Sequence, residues 1–333
     1  MTFAIAILNH NGSVLLKRFL SKVIENCQDA QIYIIDNKSS DDSIDFISKN
    51  YPEINIIELN ANYGYAEGYN EGVKLIAEDV IIFLNNDAVF LDKQSYNQIY
   101  KTFNSNDNIS IAQPRIIDYN NRNKYEYAGA SGGYIDLLGY PFCRGRIINN
   151  VESAEKYRTT REIFWASGAC FVIRRKIFNK LNGFDNDFFC HMEEIDLCWR
   201  LKNIDNDKKI VTIGKSQVFH IGGGTMQYDN PNKNYLNFRN SIMMLIKNLP
   251  LGYLAPVIIF RILFDLIILI FSFLTLNFNL SFSILKAYYY NLINFRINFL
   301  KRIKSKKSKK YYYCKSILIS YYLLGKKTFS SLK

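Results

Sequence analysis

The segment Val80–Asp87, with the sequence VIIFLNND, restricts the possible folds of this chain more than any other segment. Five apolar residues are followed directly by Asn85, Asn86 and Asp87. Such a run is typical of a strand that is buried on both faces of a parallel sheet. Because open α/β sheets bind ligands at the carboxyl ends of their strands, these three polar residues are predicted to border a ligand site.

Three other apolar segments, each bordered by polar or small residues, repeat this pattern: Phe3–Leu8 before Asn9–Gly12, Ile32–Ile35 before Asp36–Asp41, and Cys170–Ile173 after Phe164–Ala169. Helical patterns alternate with them over Ser13–Asn26, Ser43–Asn50 and Glu67–Ala77. This alternation predicts an α/β fold with a mostly parallel mixed sheet covered by helices. The stretch Gln113–Ile163 lacks periodicity and is expected to form loops around a cleft.

The positive charge of the chain is confined to its C-terminal quarter. The chain has 42 basic and 30 acidic residues, a net charge of +12. The part from Lys247 onward holds 15 basic residues and one acid, Asp265, which leaves residues 1–246 with a net charge of −2. The six cysteines form no CxxC pair, which favours reduced, buried thiols in a cytosolic protein. Met1-Thr2-Phe3 leads into the first strand without the basic segment of a signal peptide.

The composition divides the chain into an α/β catalytic domain over residues 1–247 and an apolar and basic helical region over residues 248–333. Leu251–Leu276 holds only two charged residues, Arg261 and Asp265, which are spaced to pair on a helix. It could span a bilayer, form an in-plane or re-entrant hairpin with the next segment, or pack on the soluble domain. The basic run Lys301–Lys310 favours an anionic membrane surface as partner over nucleic acid, and a solvated tail is the remaining alternative.

Two clusters of residues could carry chemistry. Asp87 and His220 both end apolar runs, and they could hold a divalent metal such as Mg²⁺ or Mn²⁺ together with substrate phosphates. Glu193, Glu194 and Asp196 begin a predicted helix beside apolar residues, where a carboxylate could act as a base. The other interpretations are a structural histidine before Gly222-Gly223-Gly224, and acids that complement a helix dipole.

Seven motifs occur in order between residues 3 and 247: Asp36-Asn37-x-Ser39-x-Asp41, Asn62-Tyr63-Gly64-Tyr65-Ala66 with Asn70-Glu71-Gly72, Leu84-Asn85-Asn86-Asp87, Trp165-x-x-Gly168-Ala169, Glu193-Glu194-x-Asp196-Leu197-Cys198-Trp199-Arg200, His220, and Arg239-Asn240. Together they resemble the family 2 glycosyltransferases, in particular the bacterial rhamnosyltransferase-like group. The resemblance implies a GT-A fold and inverting transfer of a sugar from a nucleotide-diphospho-sugar.

The resemblance also implies roles for individual residues. Nucleotide and donor binding would involve Asn9, Asn11, Asp36, Asn37, Asn62, Gly64, Asn70 and Asn86. Asp87 matches the last residue of the DxD-type metal motif, whose first aspartate is Asn85 here, and His220 matches a histidine that completes the metal site in some members. Glu194 matches the general base, usually an aspartate, with Glu193 or Asp196 as possible support. Trp165 and Gly168 would shape the donor and acceptor pocket.

The acceptor is expected to be a glycan or polyprenyl-linked sugar at the cytoplasmic face of the bacterial inner membrane, in the synthesis of a surface polysaccharide. Two other functions were compared with this one. A sugar nucleotidyltransferase would need a Gly-rich, basic loop after the first strand, and Asn9–Ser13 lacks it. A non-enzymatic membrane or nucleotide-sugar-binding adaptor explains the basic tail but not the acids and histidine at strand ends.

Overall fold

The computed structural model describes residues 1–222, 231–303 and 310–332. Its strands are β1 Phe3–Asn9, β2 Ala30–Asp36, β3 Asn55–Glu58, β4 Val80–Asn85, β5 Ala88–Val89, β6 Ile109–Asp118, β7 Gly133–Ile135, β8 Pro141–Cys143, β9 Arg146–Ile147, β10 Asn150–Val151, β11 Arg161–Glu162, β12 Cys170–Arg174 and β13 Lys209–His220. Gly223, Gly224 and the basic residues 304–309 lie outside the described residues.

The helices are α1 Ser13–Asn26, α2 Ser43–Asn50, α3 Gly64–Val73, α4 Lys93–Ser105, α5 Arg175–Lys180, α6 Glu193–Ile204, α7 Pro231–Asn248, α8 Leu251–Leu274, α9 Phe278–Ile293, α10 Phe295–Leu300 and α11 Ile317–Tyr322. Two 3₁₀ turns cover Asn186–Phe188 and Phe329–Leu332. The bounds of α1 and α2 agree with the sequence prediction. Helix α3 begins earlier than predicted, because the distant carbonyl of Phe189 accepts the N–H groups of Tyr65 and Ala66.

The main sheet of the described chain has the order β11-β13-β6-β12-β4-β1-β2-β3, and β5 pairs with β13. Strands β3, β2, β1 and β4 are parallel. Strand β12 is antiparallel to both β4 and β6, and β13 is parallel to β6. The mostly parallel mixed sheet is therefore confirmed, and β13 runs in the same direction as β4.

This register gathers chemically active residues at one edge of the sheet. Asn9 lies opposite Asp36, and Leu8 lies opposite Asn85. The antiparallel β12 starts at this edge, where Cys170 faces Leu84. The apolar residues of β1 and β4 are almost completely buried, so the edge is fixed by the core beneath it.

The stretch Gln113–Ile163 is more ordered than the sequence predicted. Strand β6 extends to Asp118, and β10-β9-β8-β7 form a second, antiparallel sheet. The prediction of loops was wrong here because strands of two or three residues are too short to show alternation.

The C-terminal helices pack on the α/β region. Arg261 and Asp265 of α8 form the predicted ion pair, with Nε and Oδ2 2.9 Å apart, and Asp265 also accepts the hydroxyl of Tyr140 from the loop between β7 and β8. Leu254 and Val257 belong to the same buried core as β1 and β4. The two parts thus share a core, and a boundary at residue 247 stays a prediction based on composition.

Candidate active site

The carboxyl ends of β1 and β2 form one polar corner of the site. Asp36 accepts hydrogen bonds from the Asn9 amide at 3.2 Å, from the Ser39 hydroxyl at 2.5 Å and from the Ser39 backbone N–H at 2.8 Å. The Ser39 hydroxyl also accepts the backbone N–H of Asn11 at 2.9 Å. These bonds hold the Asn9–Gly12 loop against Asp36 and fix the buried carboxylate in place.

Gly12 links this corner to the end of β4. A Cβ at this position would lie 2.4 Å from both the Asn86 amide nitrogen and the Asn9 side-chain oxygen. Glycine therefore lets the backbone approach these two amide groups, and any larger residue would have to displace them. Asn86 in turn donates to Asn9 at 3.4 Å, so three of the predicted donor-binding residues, Asn9, Asn11 and Asn86, lie around one loop.

Asn37, Asn62 and Gly64 form a second group of predicted donor-binding residues. The Asn37 amide donates to Asn62 Oδ1 at 3.0 Å and to the Gly64 carbonyl at 2.9 Å. Asn70, on the next turns of α3, exchanges hydrogen bonds with the backbone of Phe184 and donates to Asn186. Asn70 therefore fixes the segment that precedes the acidic helix.

Asp87 and His220 meet as the sequence predicted. His220 Nε2 lies 2.9 Å from Asp87 Oδ1, and Nδ1 lies 3.4 Å from Glu126 Oε2. All three side chains are buried. Burial would lower the pKa of His220, but its hydrogen bonds and charge interactions with Asp87 and Glu126 outweigh this effect and raise the pKa to about 10.

A divalent cation could replace the proton that His220 shares with Asp87, because metal binding displaces protons from its ligands and the pair would then offer a carboxylate oxygen and an imidazole nitrogen at one point. Within residues 1–222, 231–303 and 310–332, no group of three or more His, Cys, Asp or Glu side chains is arranged to hold a metal ion. A metal bound by Asp87 and His220 would therefore need further oxygen ligands, such as those of a diphosphate.

Glu193 and Glu194 occupy the first turn of α6. Burial raises the pKa of Glu194 to about 7, although N–H groups of Gly168 and of the helix start oppose the shift. Burial and the nearby charge of Glu194 raise the pKa of Glu193 well above its usual range. One oxygen of each carboxylate has no hydrogen-bond partner among the described residues. Of the two, Glu194, with its pKa near 7, is the carboxylate suited to accept a proton near neutral pH.

Gly168 connects Glu194 to the donor side of the site. Its carbonyl accepts the Tyr65 hydroxyl at 3.0 Å, while its N–H bonds to the Glu194 carboxylate. The next residue, Ala169, accepts the N–H of Asn85 at 3.2 Å. The base candidate is thus linked through one short segment to both α3 and the end of β4.

Trp165 lies behind this segment. It is buried, and its indole N–H donates to the carbonyl of Tyr134 at 3.0 Å. The indole packs so closely on Gly133 that a Cβ there would lie 1.9 Å from the ring. These contacts fix Trp165 against β7, three residues before Gly168 in the chain.

Asp196 is engaged in a buried ion-pair network. Its carboxylate accepts from Arg200 at 2.7 Å, from Lys247 at 2.9 Å and from the Asn248 amide at 2.7 Å. Burial opposes ionisation, but the charges of Lys247 and Arg200 dominate and lower the pKa of Asp196. This arrangement favours a role in positioning α6 over a role in proton transfer.

The backbone before Glu193 adopts an unusual conformation. Phe189, His191 and Met192 have φ angles of 63°, 71° and 74°, which are costly for residues other than glycine. Asn240 of α7 donates to the carbonyls of Phe188, Cys190 and His191, and Arg239 donates to those of Asp187 and Phe188. Arg239-Asn240 therefore maintains the strained segment that places Glu193 and Glu194.

Sequence reasoning missed Glu126 and the role of Tyr65. Glu126 lies in an irregular stretch with no motif around it, and only the fold brings it to His220. Tyr65 was part of a recognised motif, but its spacing in the chain gives no sign that its hydroxyl reaches Gly168, 103 residues away.

Residues 4–181 match the family described as Glycosyl transferase family 2. Over 249 residues the chain is 23% identical to the low-salt glycan biosynthesis hexosyltransferase Agl10 of Haloferax volcanii, covering 72% of this chain and 74% of that protein. Over 203 residues it is 24% identical to the N-acetylglucosaminyl-diphospho-decaprenol L-rhamnosyltransferase of Mycobacterium tuberculosis, covering 56% of this chain and 66% of the relative.

Among solved structures, the chain is similar to GalNAc-T7 crystallised with UDP, GalNAc and Mn²⁺. The TM-score is 0.57 at 17% identity, and the match covers 74% of this chain and 47% of the GalNAc-T7 chain. This similarity concerns the fold, and it confirms the GT-A architecture that the sequence motifs implied.

Proposed function

The chain belongs to glycosyl transferase family 2, and we propose that it is an inverting glycosyltransferase that moves a sugar from a nucleotide-diphospho-sugar to a hydroxyl group of a glycan or lipid-linked acceptor. The observation that carries this proposal is the pair Glu193-Glu194, with a pKa near 7 for Glu194, linked through Gly168-Ala169 to the same sheet edge as Asp87 and His220. A base and a leaving-group site at one edge suit displacement at a sugar carbon.

In this mechanism the Asn9–Gly12 loop, Asp36 and the Asn37–Asn62 pair bind the nucleotide side of the donor. Glu194 accepts the proton of the acceptor hydroxyl as the oxygen attacks the sugar carbon and the bond from that carbon to the diphosphate breaks, with Glu193 beside it in the first turn of α6 as support. Asp87 and His220 would hold Mg²⁺ or Mn²⁺, which would neutralise charge on the departing diphosphate.

The proposed acceptor is a polyprenyl-linked or other lipid-linked sugar at the cytoplasmic face of a bacterial membrane, in surface polysaccharide synthesis such as that of O-antigen or capsule. The mycobacterial relative is named for a decaprenol-linked acceptor, which supports this proposal. The apolar helices α8–α10 and the basic residues near them support a position at an anionic membrane surface.

The test is a thermal-shift screen of nucleotide sugars with and without Mn²⁺, followed by mass spectrometry of products formed with lipid-linked sugar acceptors. We expect one donor to stabilise the protein and to yield an acceptor-dependent product. Donor binding without any product across the acceptors would favour the nucleotide-sugar-binding adaptor instead. Release of pyrophosphate from a nucleoside triphosphate and a sugar phosphate would favour the nucleotidyltransferase.

A further inference from the structure

The hairpin of α8 and α9 carries an unusually large exposed apolar surface. Within the described residues, α8 is the one helix long and apolar enough to cross a membrane, and only 22% of its most apolar window is buried. Residues 266–282, which form the hairpin tip up to the point where Ser283 donates to the Pro231 carbonyl of α7, contain no charged side chain. Several large residues of the tip are widely exposed, including Phe271 at 67%, Leu274 at 74% and Phe282 at 68%.

The first part of α8 is fixed to the α/β region along one stripe. Leu254 and Val257 lie in the shared core, Arg261 contacts the Leu138 carbonyl, and Asp265 accepts the Tyr140 hydroxyl at 2.7 Å. These contacts recur every three or four residues, so the helix lies against the domain up to Asp265. That part of the helix cannot enter a bilayer on its own.

The remainder of α8 is too short to span a membrane. Only nine residues follow Asp265 before the helix ends at Leu274, which corresponds to about 14 Å of helix. A hydrocarbon core is about 30 Å thick and needs about 20 helical residues. The free part of the hairpin therefore matches the depth of a single leaflet.

Several polar groups at the turn of the hairpin have hydrogen-bond partners within the hairpin. The N–H groups of Thr275, Leu276 and Asn277 donate to the carbonyls of Phe271, Phe273 and Ser272, respectively. The Thr275 hydroxyl donates to the Phe271 carbonyl, the hydroxyls of Ser272 and Ser281 lie 2.8 Å apart, and the Asn277 side chain accepts the N–H of Leu280. Backbone inside lipid requires such internal bonding because no water is present there.

The residues next to the tip suit a lipid head-group region. Lys286 and Tyr289 lie on the two turns of α9 that follow the tip, and Tyr289 is exposed. Tyrosine and lysine side chains at this position place their apolar parts in the membrane and their polar ends in the interface. The charge favours anionic lipid, since Asp265, the only acid of residues 247–333, is already paired with Arg261.

We propose that the α8–α9 hairpin inserts its tip, residues 266–282, into one leaflet of an anionic lipid bilayer without crossing it. This inference deepens the membrane location given above and rests on it. It makes the protein monotopic, with the α/β region and the active site on the side from which the hairpin enters.

The first experiment measures binding of the full chain to vesicles of phosphatidylcholine and phosphatidylglycerol by flotation. The double substitution Phe271→Glu and Leu274→Glu should lower the bound fraction roughly tenfold or more, because it places charges in the leaflet. Leu75→Glu is the matched control, since Leu75 follows α3 and is 67% exposed, and it should bind as the wild type does. Both changes are at exposed positions, and unchanged melting temperatures would show that the fold is retained.

The second experiment measures the depth of the tip with Thr275→Cys on sealed vesicles, after subtraction of labelling at the native cysteines. A membrane-impermeant maleimide should fail to label Cys at this position from either outside or inside until detergent is added. Leu75→Cys should be labelled from outside throughout. Labelling from the vesicle interior would show a membrane span, and labelling from outside on bound protein would show surface attachment. Either result would refute insertion into one leaflet and leave the membrane location standing. Absence of wild-type flotation would overturn the membrane location itself.

Discussion

Glu194→Gln should abolish transfer and yet stabilise the protein, with a gain that depends on pH. The folded chain raises the pKa of Glu194 from 4.5 to about 7. Above pH 7 the carboxylate is ionised in both states, and its ionisation is less favourable in the folded one. Below pH 4.5 it is protonated in both states and this cost disappears.

The size of this gain in stability follows from the change in the pKa of Glu194 on folding. Raising the pKa of Glu194 from 4.5 to about 7 corresponds to ~3 kcal/mol, and partial exposure of the side chain reduces this to roughly 1–3 kcal/mol. Glutamine is neutral at every pH, so the variant should unfold at a higher temperature than the wild type at pH 8, by on the order of a few degrees. At pH 4.5 most of the difference should disappear.

The assay is thermal unfolding at both pH values, together with transfer rates for the donor identified by screening. Loss of a general base lowers the rate about 10²- to 10⁴-fold. Glu25→Gln, at an exposed position on α1, is the control and should change neither quantity. An equal stability difference at pH 4.5 and pH 8, or a fully active Glu194→Gln variant, would refute the assignment of Glu194 as a buried base.

Three further outcomes are expected. Asp87→Ala and His220→Ala should each weaken Mn²⁺-dependent binding of a nucleoside diphosphate in calorimetric titrations, and unchanged affinity in both would exclude the metal site. Tyr65→Phe should lower kcat without changing the donor KM. It should also shift the acidic limb of the pH–rate profile to higher pH, because the N–H of Gly168 would then stabilise the Glu194 carboxylate less well. Tyr69→Phe, one turn further along α3, is the control and should leave that limb in place. Lys247→Met should destabilise the fold by roughly 3 kcal/mol in denaturant titrations, because it removes a cation from the buried carboxylate of Asp196 and the half-buried carboxylate of Asp185. A loss below 1 kcal/mol would show that the remaining partners of these carboxylates suffice.

The fold was largely predictable because its elements have strong local signals. Helices α1 and α2 lie between apolar strands and end before residues that leave the helical conformation, and their bounds agree with the sequence pattern. The start of α3 could not be predicted, since the carbonyl that caps it belongs to Phe189, more than a hundred residues away. The antiparallel direction of β12 could not be predicted either, because an apolar segment has the same pattern in a parallel strand and in an antiparallel strand.

The site was predictable where strand ends and motifs coincide, as for Asp87 and His220, whose side chains lie 2.9 Å apart. The contacts that support these site residues could not be predicted. Glu126 approaches His220 only through the path of an irregular segment, and Asp196 proves to be bound in ion pairs that involve Lys247 on another helix. Contacts of this kind depend on tertiary packing, which a single sequence does not encode in any local pattern.

The anomeric configuration of the product tests the central claim most directly. With the donor identified by screening and a lipid-linked sugar acceptor, NMR of the new glycosidic bond should show inversion relative to the donor sugar, and the product should be absent with Glu194→Gln. A product that retains the donor configuration, or one formed at the wild-type rate by Glu194→Gln, would contradict a single displacement with Glu194 as the base.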